Sequence, residues 1–236
     1  MAQLTGARRA TYVQSMFSQI AGRYDLMNRV MTFGQDGAWR RRVIALAALR
    51  PGESLLDLGT GTGDIAFAAQ HTQPGSKRVV AGDFTLEMMR VGRQRPGAQA
   101  LRWAGTDALN LPFADNQFDA LTSGYLMRNV ADLRRAWTEQ FRVLRPGGRV
   151  VCLDTTPPSD NLLRPFILFH FNVVIPTLGR LIAGSSDAYT YLPDSTRGFL
   201  SAEALADTLR QAGFVDVCFE RHMFGTMAIH AGRKPE

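Results

Sequence analysis

Between residues 52 and 154 the chain alternates short apolar runs with segments whose apolar positions recur every three to four residues. That alternation marks a parallel sheet covered on both faces, because each return to the same sheet edge needs a crossover helix. Strands are expected at 54–58, 78–82, 100–104, 118–123 and 149–154, and helices at 64–70, 86–95 and 132–144. The last helix runs into Arg145-Pro146-Gly147-Gly148, a basic last turn followed by residues that stop helices. Upstream, residues 7–49 read as mostly helical. Downstream come an apolar stretch at 161–184, a helix at 202–212 and two closing strands at 215–221 and 227–232. The expected class is α/β: a doubly wound, mostly parallel sheet with an N-terminal helical cap and one hydrophobic helical insertion.

One stretch changes this picture from architecture to chemistry. Leu55-Leu56-Asp57-Leu58 leads straight into Gly59-Thr60-Gly61-Thr62-Gly63-Asp64, a buried strand entering a glycine-rich turn with a helix directly behind it. Glycines allow the tight turn and bring bare backbone close to a ligand, and free N–H groups at the helix start face that ligand. A dinucleotide loop would space its glycines G-x-G-x-x-G. Here the third glycine comes one residue early and Asp64 stands in its place, a spacing that resembles the S-adenosylmethionine loop of class I methyltransferases. Asp83 closes the second strand, where a carboxylate can take both ribose hydroxyls, and Asp107 follows the third, placed for an adenine amino group. Each acid alone also fits a solvated loop or a helix cap. Three loops of one sheet edge carrying the expected groups in order point to S-adenosylmethionine as cofactor.

Beyond these loops the chain resembles the ubiquinone/menaquinone biosynthesis C-methyltransferases over about residues 13–233. The resemblance rests on Tyr24-Asp25-Leu26-Met27-Asn28 with Thr32-Phe33-Gly34 and Trp39, on Arg128-Asn129-Val130 with Asp132, and on the run from Arg142 to Gly148 leading to Asp154-Thr155-Thr156. A fourth stretch runs from Ala188 to Ser195 and contains Tyr189 and Tyr191. This chain departs from the family pattern at Asp36, Gly124, Leu126, Asp154 and Thr156, where the family usually has His, Ser, Gly, Glu and Ser. The resemblance implies a Rossmann-like class I methyltransferase fold. It also implies methyl transfer from S-adenosylmethionine to a ring carbon of a prenylated quinol, demethylmenaquinol first among them. Cofactor contacts carry over to Thr62, Asp83, Asp107 and Ala108, joined by Asp57, Gly59, Gly61 and Gly63 of the loop. The family's serine contact falls on Gly124, which offers only backbone, so neighbouring Ser123 is a candidate to replace it.

Methylating a ring carbon calls for a group that accepts or relays a phenolic proton and a cation or donor that stabilises phenolate. Arg128 suits the second task better than the first, since a guanidinium stays protonated. Asn129 would orient a phenol or a water, and Asp154, ending the fifth strand, is the expected proton acceptor; each also has a structural reading, as a cap or an ion-pair partner. Tyr24, Asp25 and Asn28 would close a cap over the methionine end of the cofactor and exclude water. Leu126, Tyr189 and Tyr191 are candidates for the ring pocket. The expected organisation is a single domain, 1–236, with a cap at 1–50, the cofactor core at 51–155, a substrate-side insertion at 156–200 and closing elements at 201–236.

Composition adds limits. The formal net charge is +6, which suits an anionic partner, yet no nucleic-acid motif accompanies the arginines, scattered apart from the run Arg40-Arg41-Arg42, and no nucleic acid is expected. Residues 162–183 are apolar but interrupted by Arg164, Pro165, His170, Asn172, Pro176 and Arg180, short of the run of ~20 residues a membrane span needs. One or two short helices lining a greasy pocket for a prenyl tail fit better, with weak peripheral contact at the inner face of the membrane. Cys152 and Cys218, in apolar strands with no near partner, read as buried thiols of a reduced, cytoplasmic protein, and residues 1–10 lack the apolar core of a secretory signal. His71, His170, His222 and His230 show no metal-ligand spacing, so no metal is expected. A homodimer is compatible with the sequence. Competing readings are O- or N-methylation of another small aromatic or lipid acceptor, a non-catalytic cofactor-binding scaffold, and, on charge alone, an RNA methyltransferase.

Overall fold

The computed structural model describes residues 6–72, 75–158, 162, 164–180 and 187–236. Seven strands form one sheet: β1 (Ser54–Leu58), β2 (Arg78–Asp83), β3 (Arg102–Gly105), β4 (Phe118–Gly124), β5 (Leu144–Thr155), β6 (Val215–His222) and β7 (Met227–Arg233), in the order β3-β2-β1-β4-β5-β7-β6. The first five run parallel, and β7 is antiparallel to both β5 and β6. Helices precede and interleave the strands: α1 (Gly6–Ile20), α2 (Tyr24–Met31), α3 (Asp36–Ala47), α4 (Asp64–Thr72), α5 (Leu86–Arg93) and α6 (Leu133–Val143). After the parallel strands come α7 (Arg164–Phe169), α8 (Ile175–Leu178), α9 (Asp187–Arg197) and α10 (Ala202–Gln211).

Side chains alternate across the central strands, so each strand feeds both cores. Leu55, Val79, Ala81, Ala120, Val151 and Leu153 pack with Trp39, Val43 and Ile44 of α3 and Ile65 and Phe67 of α4. Their neighbours Leu56, Val80, Leu121, Val150 and Cys152 pack on the other face with Trp137 and Val143 of α6 and Leu205 and Leu209 of α10. Asp132 caps α6 by accepting from the Arg135 N–H, and Ser201 caps α10 by accepting from the Ala204 N–H. Such caps set where each helix begins.

Three expectations from the sequence need correction. β5 starts at Leu144 rather than 149, because Leu144 pairs with Phe118 directly after α6 and the register then shifts past Gly147, whose φ is +72°. Cys152 is buried, but Cys218 is exposed. It lies on edge strand β6, and Val217, one residue earlier, takes the face covered by α10. The apolar insertion forms α7 and α8 joined by a π-helical turn at His170–Val174, yet none of its described residues lines the central cavity. Ile167, Phe171 and Ile175 instead form a third core with Met16, Ile20, Met27, Met31 and Tyr191, so the insertion props up the N-terminal cap.

Candidate active site

The strand order turns back between β1 and β4, and in open α/β sheets ligands bind outside the carboxyl ends of the strands at such a switch point. A cavity of about 190 Å³ opens there. Its floor is the β1–α4 loop, where Gly59 (φ +66°) and Gly61 (φ +58°) hold left-handed backbone. A Cβ on Gly59 would stand 3.0 Å from Leu126 Cδ1, so the glycine leaves room that a side chain would fill. Gly63 (φ +91°) is needed for packing: a Cβ there would stand 2.8 Å from the Trp103 ring.

Acidic groups organise one end. Asp83 accepts from the backbone N–H of Gly61 and of Thr85, both at 2.7 Å, and lines the cavity. Burial pushes its carboxyl up, and these N–H donors pull it back down. Asp107, exposed on the cavity rim, accepts from the Leu109 N–H at 2.9 Å, with Ala108 buried beside it. The Thr106 hydroxyl is buried without a partner among the described residues. Beneath the loop, Asp57 is 1% exposed and accepts from Thr60 Oγ1 at 2.6 Å and Thr122 Oγ1 at 2.8 Å. Its carboxyl is pushed up to about 7 by burial, with the two threonines opposing.

The cap supplies the roof. Tyr24 and Asn28 of α2, Arg40 of α3, and Val13, Gln14 and Phe17 of α1 all line the cavity. Asp25 Oδ1 accepts from Thr62 Oγ1 at 2.7 Å, tying α2 to the glycine loop. Asp64, at the start of α4, pairs with Arg40 at 2.7 Å and Arg95 at 2.6 Å, and Arg40 also pairs with Asp36 at 2.9 Å. Burial and the neighbouring Asp64 push the Asp25 carboxyl up.

The wall beyond β4 departs most from expectation. Gly124 lines the cavity, and a Cβ there would stand 2.9 Å from Ile65 Cδ1, so the position offers backbone alone. Ser123 does not compensate: it is fully buried in the sheet, in register with Leu58 and Cys152, and is not part of the cavity lining. Leu126 and Asn129 line the cavity, but Arg128 and Asp154 do not. They pair with each other at 2.5 Å, 2% and 1% exposed respectively. Asp154 also accepts from the N–H groups of Arg128 and Thr155, so its oxygens are engaged away from the cavity rather than facing a substrate. Asn129 Nδ2 donates to the Tyr125 carbonyl at 2.8 Å, and its Oδ1 accepts from the Tyr191 hydroxyl at 3.0 Å. Tyr191 thus holds Asn129 from within the third core and does not itself line the cavity. Tyr189 lies in α9, and its side chain lies outside the described residues.

Sequence reasoning gave no role to Tyr125 or Arg40, and Asp64 entered it only as the residue closing the glycine loop. Tyr125 sits in left-handed backbone (φ +58°) directly after β4, lines the cavity, and lies with its ring 5.2 Å from the Arg128 guanidinium. A non-glycine residue held there is uncommon and clusters at functional sites. Burial pushes the phenols of Tyr24 and Tyr125 up, so both stay protonated donors at neutral pH. Arg40 was legible only as part of the basic run Arg40-Arg41-Arg42.

The site fits a nucleoside carrying an amino acid: carboxylates at one end, a bare glycine floor, and unpartnered buried polar atoms at Thr106 and Asn28. Comparison with known proteins agrees. The family described as ubiE/COQ5 methyltransferase matches residues 5–234. A ubiquinone/menaquinone biosynthesis C-methyltransferase UbiE of Desulfotalea psychrophila is 53% identical over 94% of this chain and 90% of its own length. A demethylmenaquinone methyltransferase of Thermus thermophilus is 44% identical over 93% of this chain and the whole of its own. Among solved structures, a Haemonchus contortus phosphoethanolamine N-methyltransferase 2 bound to S-adenosylhomocysteine shares the fold at TM-score 0.61 and 16% identity, over 83% of this chain and 52% of that one. The [4+2]-cyclase SpnF does so at TM-score 0.64 and 20% identity, over 84% and 80%, so likeness of fold alone does not decide the reaction. The chain belongs to the ubiE/COQ5 methyltransferase family, class I enzymes whose methyl donor is S-adenosylmethionine.

Proposed function

We propose that this protein transfers a methyl group from S-adenosylmethionine to a ring carbon of a prenylated quinol, converting demethylmenaquinol to menaquinol. The observation that carries the reading is one continuous cavity with nucleoside acceptors, Asp83 and Asp107, at one end and Leu126, Tyr125 and Asn129 at the other. The cofactor supplies an electrophilic sulfonium methyl. The protein positions the ring carbon in line with it and keeps water out.

Asp83 takes the ribose hydroxyls and Asp107 the adenine amino group. The Gly59–Gly61 backbone, with Asp57 and Thr62, carries the chain between nucleoside and methyl. Asn129 faces the quinol: one Nδ2 hydrogen is donated to Tyr125, and the other remains for a phenolic oxygen. The Arg128–Asp154 pair stands behind this wall as a positioning unit. Its guanidinium lies against the Tyr125 ring and holds the residue that orients Asn129. Leu126 limits the ring's approach over Gly59.

The quinol's tail calls for a bilayer, and an acidic lipid surface fits the face carried by α7 and its π-helical extension. Leu162, Phe166, Phe169 and Val173 are 95, 74, 60 and 46% exposed at helical spacing, with Phe33 (68%) stacked on His170 beside them. Arg29, Arg164 and Arg180 are exposed on the same cap and insertion, and the net charge is +6. No helix among the described residues is long and apolar enough to cross a membrane.

The decisive assay offers isotope-labelled S-adenosylmethionine with short-tailed demethylmenaquinol and demethoxyubiquinol analogues under reducing conditions. A product methylated on ring carbon is expected, with the naphthoquinol preferred. No transfer to either acceptor, while cofactor binding persists, would overturn the reading.

A further inference from the structure

Three side chains, Tyr24, Asn28 and Arg40, line the roof of the cavity. Asn28 is 6% exposed, and its Nδ2, buried beside the Tyr24 hydroxyl, meets no acceptor at hydrogen-bond geometry among the described residues. An orphaned buried donor is costly and calls for a partner. Tyr24 and Arg40 line the same cavity close enough for each to feel the other's charge. Arg40 uses Nη1 for both Asp36 and Asp64, which anchors the guanidinium at the start of α4, one residue past Gly63.

The position within the cavity narrows the ligand chemistry. With Asp83 and Asp107 on the β2 and β3 side, a nucleoside's 5′ substituent must run over Gly59 and Gly61 toward β4, beneath Tyr24, Asn28 and Arg40. Charge narrows it further. Asp25, Asp36 and Asp64 outnumber Arg40 and Arg95 in the linked ion pairs. A lone phenolate would meet that excess of negative charge unfavourably. A zwitterion matches it, with its carboxylate on the donors and its ammonium toward the acids.

We infer that Arg40, Tyr24 and Asn28 form a carboxylate subsite for the amino-acid end of the cofactor, with Arg40 supplying the charge. The inference rests on the S-adenosylmethionine reading and adds the residues that recognise the α-carboxylate. A planar guanidinium fixed at one edge by two aspartates keeps its remaining N–H groups pre-oriented, which a lysine would not reproduce.

Calorimetry on the full chain with two ligands tests this without turnover: S-adenosylhomocysteine, which carries the amino acid, and 5′-deoxy-5′-methylthioadenosine, which lacks it. Arg40→Met is expected to weaken S-adenosylhomocysteine about 10- to 100-fold, the worth of a charged hydrogen bond, and methylthioadenosine by less than about twofold. Arg40→Lys should restore part of the loss. Because Arg40→Met takes the ion-pair partner from Asp36 and leaves Asp64 with Arg95 alone, which weakens the cap, Asn28→Leu provides the second variant. It removes a donor that has no partner among the described residues, so the fold should hold while S-adenosylhomocysteine binding drops several-fold. Equal weakening of both ligands in both variants would overturn the subsite and leave Arg40 as a strut between α3 and α4. Unchanged binding of both ligands, with a raised KM for quinol, would overturn it in favour of a phenol subsite. Wild-type protein that binds neither ligand would sink the cofactor reading itself, a separate result from either of these.

Discussion

Arg128 and Asp154 face each other across the buried junction between the β4 loop and the end of β5, with Nη1 and Oδ1 2.5 Å apart. Both charges are out of water, so removing one partner strands the other. Asp154→Ala or Arg128→Met should each lower unfolding free energy by about 3–5 kcal/mol, while Arg128→Met with Asp154→Leu should lose less than the sum. Urea unfolding of the three variants checks this. Strict additivity would show that the two side chains do not act as a pair.

Tyr191 reaches Asn129 from the third core, and this bond is the link between the propped-up cap and the proposed quinol wall. Tyr191→Phe removes one hydroxyl and leaves the ring packing against Tyr12 in place. Expected are a stability loss of about 1 kcal/mol, a roughly tenfold lower kcat and unchanged S-adenosylhomocysteine affinity. If kcat were unchanged, Asn129 would not depend on Tyr191 for its orientation.

Asp57 makes the ligand-free protein sensitive to pH. Its folded pKa, about 7, lies above the unfolded value near 3.8, so between these pH values the folded state holds more protons than the unfolded state. Stability from this group is therefore full below about pH 3.8, falls as pH rises toward 7 and is lost above it. Between pH 5 and pH 8 wild type should lose on the order of 2–3 kcal/mol relative to Asp57→Asn. Chemical unfolding of both proteins at the two pH values measures the difference, and parallel pH profiles would contradict it.

Phe166 and Phe169 contribute little to folding, being 74% and 60% exposed, but much to the proposed bilayer face. Replacing both with serine should leave the melting temperature nearly unchanged. Each aromatic transferred into the interface is worth up to about 1.5–3 kcal/mol, so sedimentation with acidic-lipid vesicles should fall at least about tenfold. Wild type that stays in the supernatant at low salt would refute the membrane face outright.

What could be read from residues alone was whatever depends on short-range pattern. The strand at 54–58 matches β1 residue for residue, and the remaining strands and helices of the core fall within a few positions of expectation, except where β5 begins early. Period-two and period-3.6 burial are local consequences of backbone geometry, and strand–glycine–helix spacing is equally local. Asp83 and Asp107 were legible for the same reason: each follows a strand, and a parallel sheet brings all strand ends to one edge.

Which side chains meet across that edge was a tertiary matter. Arg128 and Asp154 are 26 positions apart, and only the pairing of β4 with β5 sets them against each other instead of facing the cavity. Arg40 enters the roof because α3 packs on α4 and leans on Asp64, a contact with no local signal. Tyr125 projects into the site because its backbone is left-handed, a conformation its own letter does not favour. The apolar insertion was recognisable by composition, but its burial against α1 and α2 depends on where those helices lie. Sequence spacing thus determined the fold and which strand ends meet at one edge; the folded packing decided which charges are consumed by one another and which are left facing the cavity.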